Sequence, residues 1–121
     1  MIQLNLRDPR PIYEQIKDSF IKLILCGAMT PNDKMPSVRS LAASLSINPN
    51  TIQRAYNDLE AEGYIYSVSG KGSFVNELNG KETSHIIELK EKLSKTVAEL
   101  KALGISYDEI SKVTKEGYDN D

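Results

Sequence analysis

The run NPNTIQRAYND, Asn48 to Asp58, gathers side chains able to make paired hydrogen bonds: Asn50, Gln53 and Arg54, with Asn57 one turn beyond. Amide and guanidinium groups present two polar atoms in one plane. That geometry matches purine edges in the DNA major groove, which is wide enough to admit one helix. Other chemistries lack their parts. There is no Ser/Cys–His–acid set, no phosphate-cradling glycine loop and no carboxylate pair fixed by a motif, so no catalytic residue is assigned and an enzyme is not expected. Cys26 is the single cysteine and His85 the single histidine, which leaves no internal disulfide and no ligand set for a metal within one chain. No cofactor is expected.

Such side chains need a rigid helix beneath them. Asn48 fits an N-cap and Pro49 a first helical position, where its missing N–H does no harm. Ile52, Ala55, Tyr56 and Leu59 then recur at helical spacing, and Gly63 stands where a terminating glycine belongs. With Ile52 turned to a core, about 100° per residue puts Asn50, Arg54 and Asn57 on the opposite face, flanked by Thr51 and Gln53. Upstream, Ser37 fits the N-cap of a two-turn helix carrying Val38, Leu41, Ala42 and Leu45, and Ser46-Ile47-Asn48 is the break between the two helices. Ile12, Ile16, Phe20, Leu23 and Ile24 mark an earlier helix, with a second stripe of Tyr13, Ile21 and Leu25 and with Gly27 to end it. Cys26, at the end of that apolar helix, is expected to be a buried, inert thiol. Residues 28–36 form a loop rich in turn formers, in which Asn32 can take a left-handed conformation.

After Gly63 the period changes to two. YIYSV and SFV, separated by SGKG, predict a β-hairpin. Asn76 to Ser84 is polar, lacks apolar period and is expected to be a linker. Ile86, Leu89, Leu93, Val97, Leu100 and Leu103 then step by three or four, predicting a fourth helix. A domain already using three helices as its core has little surface left to cover that stripe, so a partner chain is expected there. Ser106 to Glu109 reads as a capping box opening a short fifth helix through Ile110 and Val113, and roughly the last five residues should fray.

The stretch PSVRSLAASLSINPNTIQRAYNDLEAEGYI, followed by GKGSFV and preceded by PIYEQI, resembles the N-terminal domain of the GntR family of bacterial transcription regulators. The match runs from about Pro11 to Val75 in register. NPNTIQRAY and the short helical tail resemble the small YtrA-type branch. The resemblance implies a winged helix-turn-helix that works as a dimer on a palindromic operator, usually as a repressor; the YtrA-type branch implies transporter genes as targets. It also implies roles. Arg39 matches a helix-two arginine that reaches DNA, Thr51 matches a threonine at the start of the recognition helix, and Lys71 and Gly72 match a wing tip that approaches the minor groove. Ser37, Asn50, Gln53 and Arg54 complete the expected DNA-binding set. Better-known branches often carry arginine where this chain has Pro49 and Gln53, so their base-reading pattern does not transfer. Ser46 stands where the turn commonly has glycine, which suggests a turn with no strict need for positive φ.

The expected architecture is therefore mainly α with a β-hairpin: a winged helix-turn-helix over residues 1–76, then a two-helix dimerisation tail over 77–121. The net charge of −2 is unevenly divided, since residues 1–76 hold eight Lys/Arg against seven Asp/Glu and residues 77–121 seven against ten. Attraction for polyanions lies in the front. No export signal or membrane span is visible, so the expected compartment is the cytoplasm. The partners expected are double-stranded operator DNA and a second copy of the chain. The 45 residues after Asn76 are too few to enclose a sizeable ligand cavity, which would put any small-molecule effector, of open identity, at the dimer interface. The alternative is a winged helix that binds another protein without reading DNA. The polar outer face of the third helix weighs against it, because protein-binding faces favour aromatic anchors.

Overall fold

Helical and alternating apolar spacing resolve into seven elements in chain order: α1 (Ile12–Leu25), α2 (Val38–Leu45), α3 (Pro49–Ala61), β1 (Ile65–Val68), β2 (Gly72–Val75), α4 (Lys81–Ala102) and α5 (Tyr107–Asp119). The structure is a computed structural model that describes residue 2 and residues 4–120. Contacts divide it into two units, Met1–Asn79 and Gly80–Asp121.

In the first unit, α1, α2 and α3 enclose a core to which Ile16, Phe20, Ile24, Leu41, Ile52, Ala55 and Leu59 contribute. The hairpin closes it from one side. Its strands are antiparallel, with Ile65 opposite Val75 and Val68 opposite Gly72, so Ile65 and Val75 point together into the core. On the other face Tyr66 and Phe74 stack with ring centroids 5.7 Å apart. Residues 69–71 make the tip, closed by the Lys71 N–H donating to Val68 O at 2.9 Å.

The loop before α2 does more than turn. Asn32 takes φ +73°, as its side chain allows. The chain then runs antiparallel to β2, Lys34 bridging to Phe74, with Met35 N–H donating to Ser73 O and Val75 N–H donating to Asp33 O, both at 2.8 Å. The wing thus gains a third, very short strand. No alternation marked it in the sequence, because only one residue pair is formed.

Two local expectations are corrected. Ser46 does adopt positive φ, at +55°, despite lacking the freedom of glycine. The reason is the cap: Ser46 N–H donates to Ala43 O, and Ile47 N–H donates to Ala42 O at 3.0 Å, a closure that requires a left-handed residue between helix and turn. Gly63 supplies the same closure after α3, with Tyr64 N–H donating to Leu59 O. Cys26 is exposed rather than buried. It lies two residues, about 200°, round from buried Ile24 and follows the last turn of α1, so the core is behind it.

In the second unit α4 begins at Lys81, with Gly80 at its N-terminus, so the expected linker is shorter than Asn76–Ser84. Leu103 falls beyond α4 as its C-cap residue and is 78% exposed. Ser106 caps α5 by accepting the Glu109 N–H at 3.2 Å. That helix continues to Asp119, supported by the Lys115–Asp119 pair at i,i+4, and Asp121, the last of the residues expected to fray, lies outside the described residues. Among the described residues no helix is long and apolar enough to cross a membrane.

Ser46→Gly should stabilise the first unit by about 0.5–1 kcal/mol, because relief of the left-handed penalty outweighs the extra chain entropy of glycine in the unfolded state. Urea unfolding measures it. A loss of stability would mean that the serine side chain contributes more than its backbone conformation costs.

Candidate nucleic-acid interface

The polar face of α3 follows from what its other face buries. Ile52, Ala55 and Leu59 have no exposed surface and Tyr56 is 4% exposed, so Asn50, Gln53, Arg54 and Asn57 are all turned to solvent. Thr51 is half-buried at the flank. Asn48 is used as the N-cap, its Oδ1 accepting the Asn50 N–H at 2.8 Å, which leaves the Asn50 side chain free of capping duty. Gln53 Nε2 donates to Asn57 Oδ1 at 2.9 Å, so the two amides form one hydrogen-bonded pair along the exposed face. Such a pair still has a donor and an acceptor at its two ends for an outside partner.

Tyr56 ties this helix to the next piece. Its ring meets Phe20 edge-on, with centroids 5.7 Å apart and planes at 85°. Its hydroxyl donates to Pro36 O at 2.6 Å, which fixes the residue entering α2. Ser37 then caps α2: its Oγ accepts the Ser40 N–H at 3.1 Å and donates to Ser40 Oγ at 2.8 Å. Arg39 follows on the first turn of α2, exposed.

The wing and the start of α2 meet at a cleft of about 260 Å³ lined by Lys34, Pro36, Ser37, Tyr56, Lys71 and Gly72, among others. Three of the sequence candidates, Ser37, Lys71 and Gly72, are brought together there. Gly72 has φ +108°, an angle that favours glycine, and a Cβ on it would stand 3.3 Å from Lys34 Cε, which the lysine stem could relieve by a small shift. Lys34 is a cation that sequence pattern did not single out. Its position depends on pairing with a strand forty residues later, for which no local signal exists.

Arg39 and Arg54 remain apart from that cleft. Arg54 is not held by Asp58 or Glu60; its guanidinium lies over the Tyr13 ring, 3.7 Å from the centroid, and Nη2 donates to Tyr13 Oη at 3.0 Å. Tyr13 was legible only as part of an apolar stripe. Elsewhere in this unit Arg10 pairs with Asp8 and Asp18, and Lys17 pairs with Glu62. By contrast Lys34, Arg39, Arg54 and Lys71 have no carboxylate partner among the described residues. Unneutralised cations beside a helix of exposed amides can take phosphate groups while the amides meet base edges.

Comparison with known proteins agrees in family and fold. The family model described as bacterial regulatory proteins, gntR family, matches residues 12–75. The chain is similar to the HTH-type transcriptional repressor YtrA of Bacillus subtilis, at 39% identity over 96% of this chain and 91% of that one. It is also similar to a solved structure from Listeria monocytogenes EGD-e described as a transcriptional antiterminator, with TM-score 0.78, 32% identity, and coverage of 98% of this chain and 90% of that one. The AraR DNA-binding domain in complex with operator ORE1 is similar over 62% of this chain and 92% of that one, with TM-score 0.53 and 32% identity.

Tyr56→Phe should destabilise the first unit by about 1 kcal/mol, since Pro36 O loses its donor at a part-buried site. Burial also pushes the Tyr56 hydroxyl above the ordinary tyrosine value, because the phenolate would be desolvated. A raised acid pKa stabilises the fold through the neutral form. That contribution is present below the unfolded value near pH 10 and is lost as pH rises beyond it. Thermal unfolding from pH 8 to 11 should therefore show a steeper decline for the unmodified chain than for Tyr56→Phe; parallel curves would mean the hydroxyl is solvated.

Proposed function

The chain belongs to the GntR family of bacterial regulatory proteins, whose members and relatives are transcription regulators, and on that premise we propose that it acts as a dimeric repressor on a palindromic operator. The observation that carries this proposal is the outer face of α3, where Asn50, Gln53 and Asn57 stand exposed beside Arg54, a cation held by Tyr13 and by no carboxylate among the described residues. Asn50 and Gln53 read purine edges, and Arg39 reaches the same bases from α2. Thr51 at the flank of α3, Arg54 on its outer face, Ser37 at the start of α2, and Lys71 and Gly72 on the wing set the register against the phosphate backbone. Such a repressor works in the cytoplasm, where its operator is, and the YtrA-type likeness supports transporter genes as its targets.

The second copy docks through the tail. Ile86, Leu89 and Leu93 are 43%, 48% and 56% exposed on α4, while Val97 and Leu100 are half-buried on the same face. Leu93 and Val97 continue into an apolar groove of about 540 Å³ walled on the other side by Tyr107, Ile110 and Tyr118 of α5. No residue of either helix is buried, so this unit has no core of its own and gains one by pairing. Two-fold pairing sets two recognition helices about 34 Å apart, one helical turn of DNA. Leu103, expected in the seam, stands past the end of α4 and contributes at its margin. Residues 1–76 thus serve DNA and residues 77–121 serve the dimer.

Alanine at Arg39, Asn50 or Gln53 should cost about 1–3 kcal/mol at the cognate operator and little on random duplex, whereas Lys71→Ala should weaken both and lower the salt slope by about one. Fluorescence anisotropy over a salt series separates the two patterns. Equal losses on both DNAs would reassign a base reader to phosphate, and an unchanged slope would remove Lys71 from the interface.

Leu93→Glu with Leu100→Glu should give a folded monomer that binds the operator much more weakly. Sedimentation showing an intact dimer would reject the tail as its main interface.

A further inference from the structure

Arg54 is exposed on α3, yet another helix holds its side chain. Tyr13, on the first turn of α1, stands 41 positions away in the chain and offers both a ring face, 3.7 Å from the guanidinium carbon, and a hydroxyl that accepts from Nη2. The hydroxyl in turn donates to Glu14 Oε1 at 3.3 Å, so its oxygen is polarised toward the arginine. The tyrosine is itself half-buried and packed against the core, which makes it a firm support. Asp58 lies one turn further along α3 but forms no ion pair with Arg54 among the described residues. This choice of partner matters. An arginine paired with a carboxylate must break that pair to take a phosphate, whereas one stacked on a neutral ring keeps its full charge and most of its N–H donors available. An unsupported arginine must also give up a large freedom of rotamers on binding, and the stack removes much of that freedom in advance.

We propose that Tyr13 is a positioning residue for DNA binding: it holds the Arg54 guanidinium beside α3 in the orientation that meets a backbone phosphate. The inference rests on the proposed role of Arg54 at the operator. Ring and hydroxyl contribute separately, the ring by restricting the guanidinium to one plane and the hydroxyl by setting its rotation within that plane.

The test is a double-mutant cycle on the full chain, read as operator affinity over a salt series, with thermal unfolding to confirm that each variant is folded. Tyr13→Phe keeps the stack and should weaken binding about 3-fold, and Tyr13→Leu removes both contacts and should weaken it about 10-fold. Arg54→Ala should weaken binding and lower the salt slope by about 0.9. In the Arg54→Ala background, Tyr13→Leu should have no further effect. The Arg54 side-chain protons in the free protein should show an upfield ring-current shift that survives Tyr13→Phe and disappears in Tyr13→Leu. Losses that multiply in the double variant would overturn the proposal, since Tyr13 would then touch DNA itself or act only through stability. Unchanged operator affinity in Arg54→Ala would overturn it too, and would leave the operator-reading function standing if Asn50→Ala and Gln53→Ala still discriminate operator from random DNA.

Discussion

Helix α3 can sit in the first unit in only one rotation. Ile52, Ala55 and Leu59 leave no surface exposed, and each is a whole number of helical steps from the others along one stripe. Turning the helix by one residue would carry Gln53 into the place of Ile52, burying an amide without partners while exposing an isoleucine. Either change alone costs about 1–3 kcal/mol, and together they exceed what surface contacts could recover. The outward set of Asn50, Gln53, Arg54 and Asn57 is therefore a consequence of core packing. Polar groups on that face are presented rigidly because their backs are filled.

The same packing reaches the other elements through Tyr56. Its ring rests on Phe20 of α1 and its hydroxyl holds Pro36, so the entry to α2 is tied to the middle of α3. From there Ser37 caps α2 and Arg39 follows within one turn. On the other side of Pro36, Met35 and Lys34 pair with β2, which brings a second lysine to the wing beside Lys71. Helix, turn and wing are thus connected in series: Tyr56 holds Pro36 by one hydrogen bond, and the residues just before Pro36 hold β2 through backbone bonds. The cations they carry have no carboxylate partner among the described residues. Charges are screened over about 8 Å at physiological ionic strength, so this local arrangement bears on a polyanion more than the net charge of −2 does.

The second unit poses the opposite problem. Its helices are well formed, capped by Ser106 and supported by an i,i+4 pair, yet the side chains that would normally be hidden are open to water. A unit of this size cannot enclose much core, and chains below roughly 40 residues usually depend on another copy, a metal or a disulfide. With a single cysteine the last of these is closed within one chain. The first unit, by contrast, buries most of its apolar residues in one core.

What the residues determined by themselves is whatever repeats locally. The spacing of Ile52, Ala55, Tyr56 and Leu59, the Asn48-Pro49 start, the Ser37 cap and the switch to alternation after Gly63 are all signals within one or two turns of chain, and each element formed where they placed it. The exposed face of α3 followed directly, since helical period decides which side chains oppose a buried stripe. Tertiary structure alone decided the rest. Ser46 takes a left-handed conformation because α2 must close and turn within one residue, a demand set by where α3 packs and not by serine's own preference. The apolar run of α1 does not announce that Cys26 lies on the side turned away from the core. Lys34 joins the wing, and Tyr13 supports Arg54, through contacts 40 and 41 residues apart. Contacts of that kind exist only after the chain has closed on itself, when the packing of distant helices brings together side chains that no local period relates.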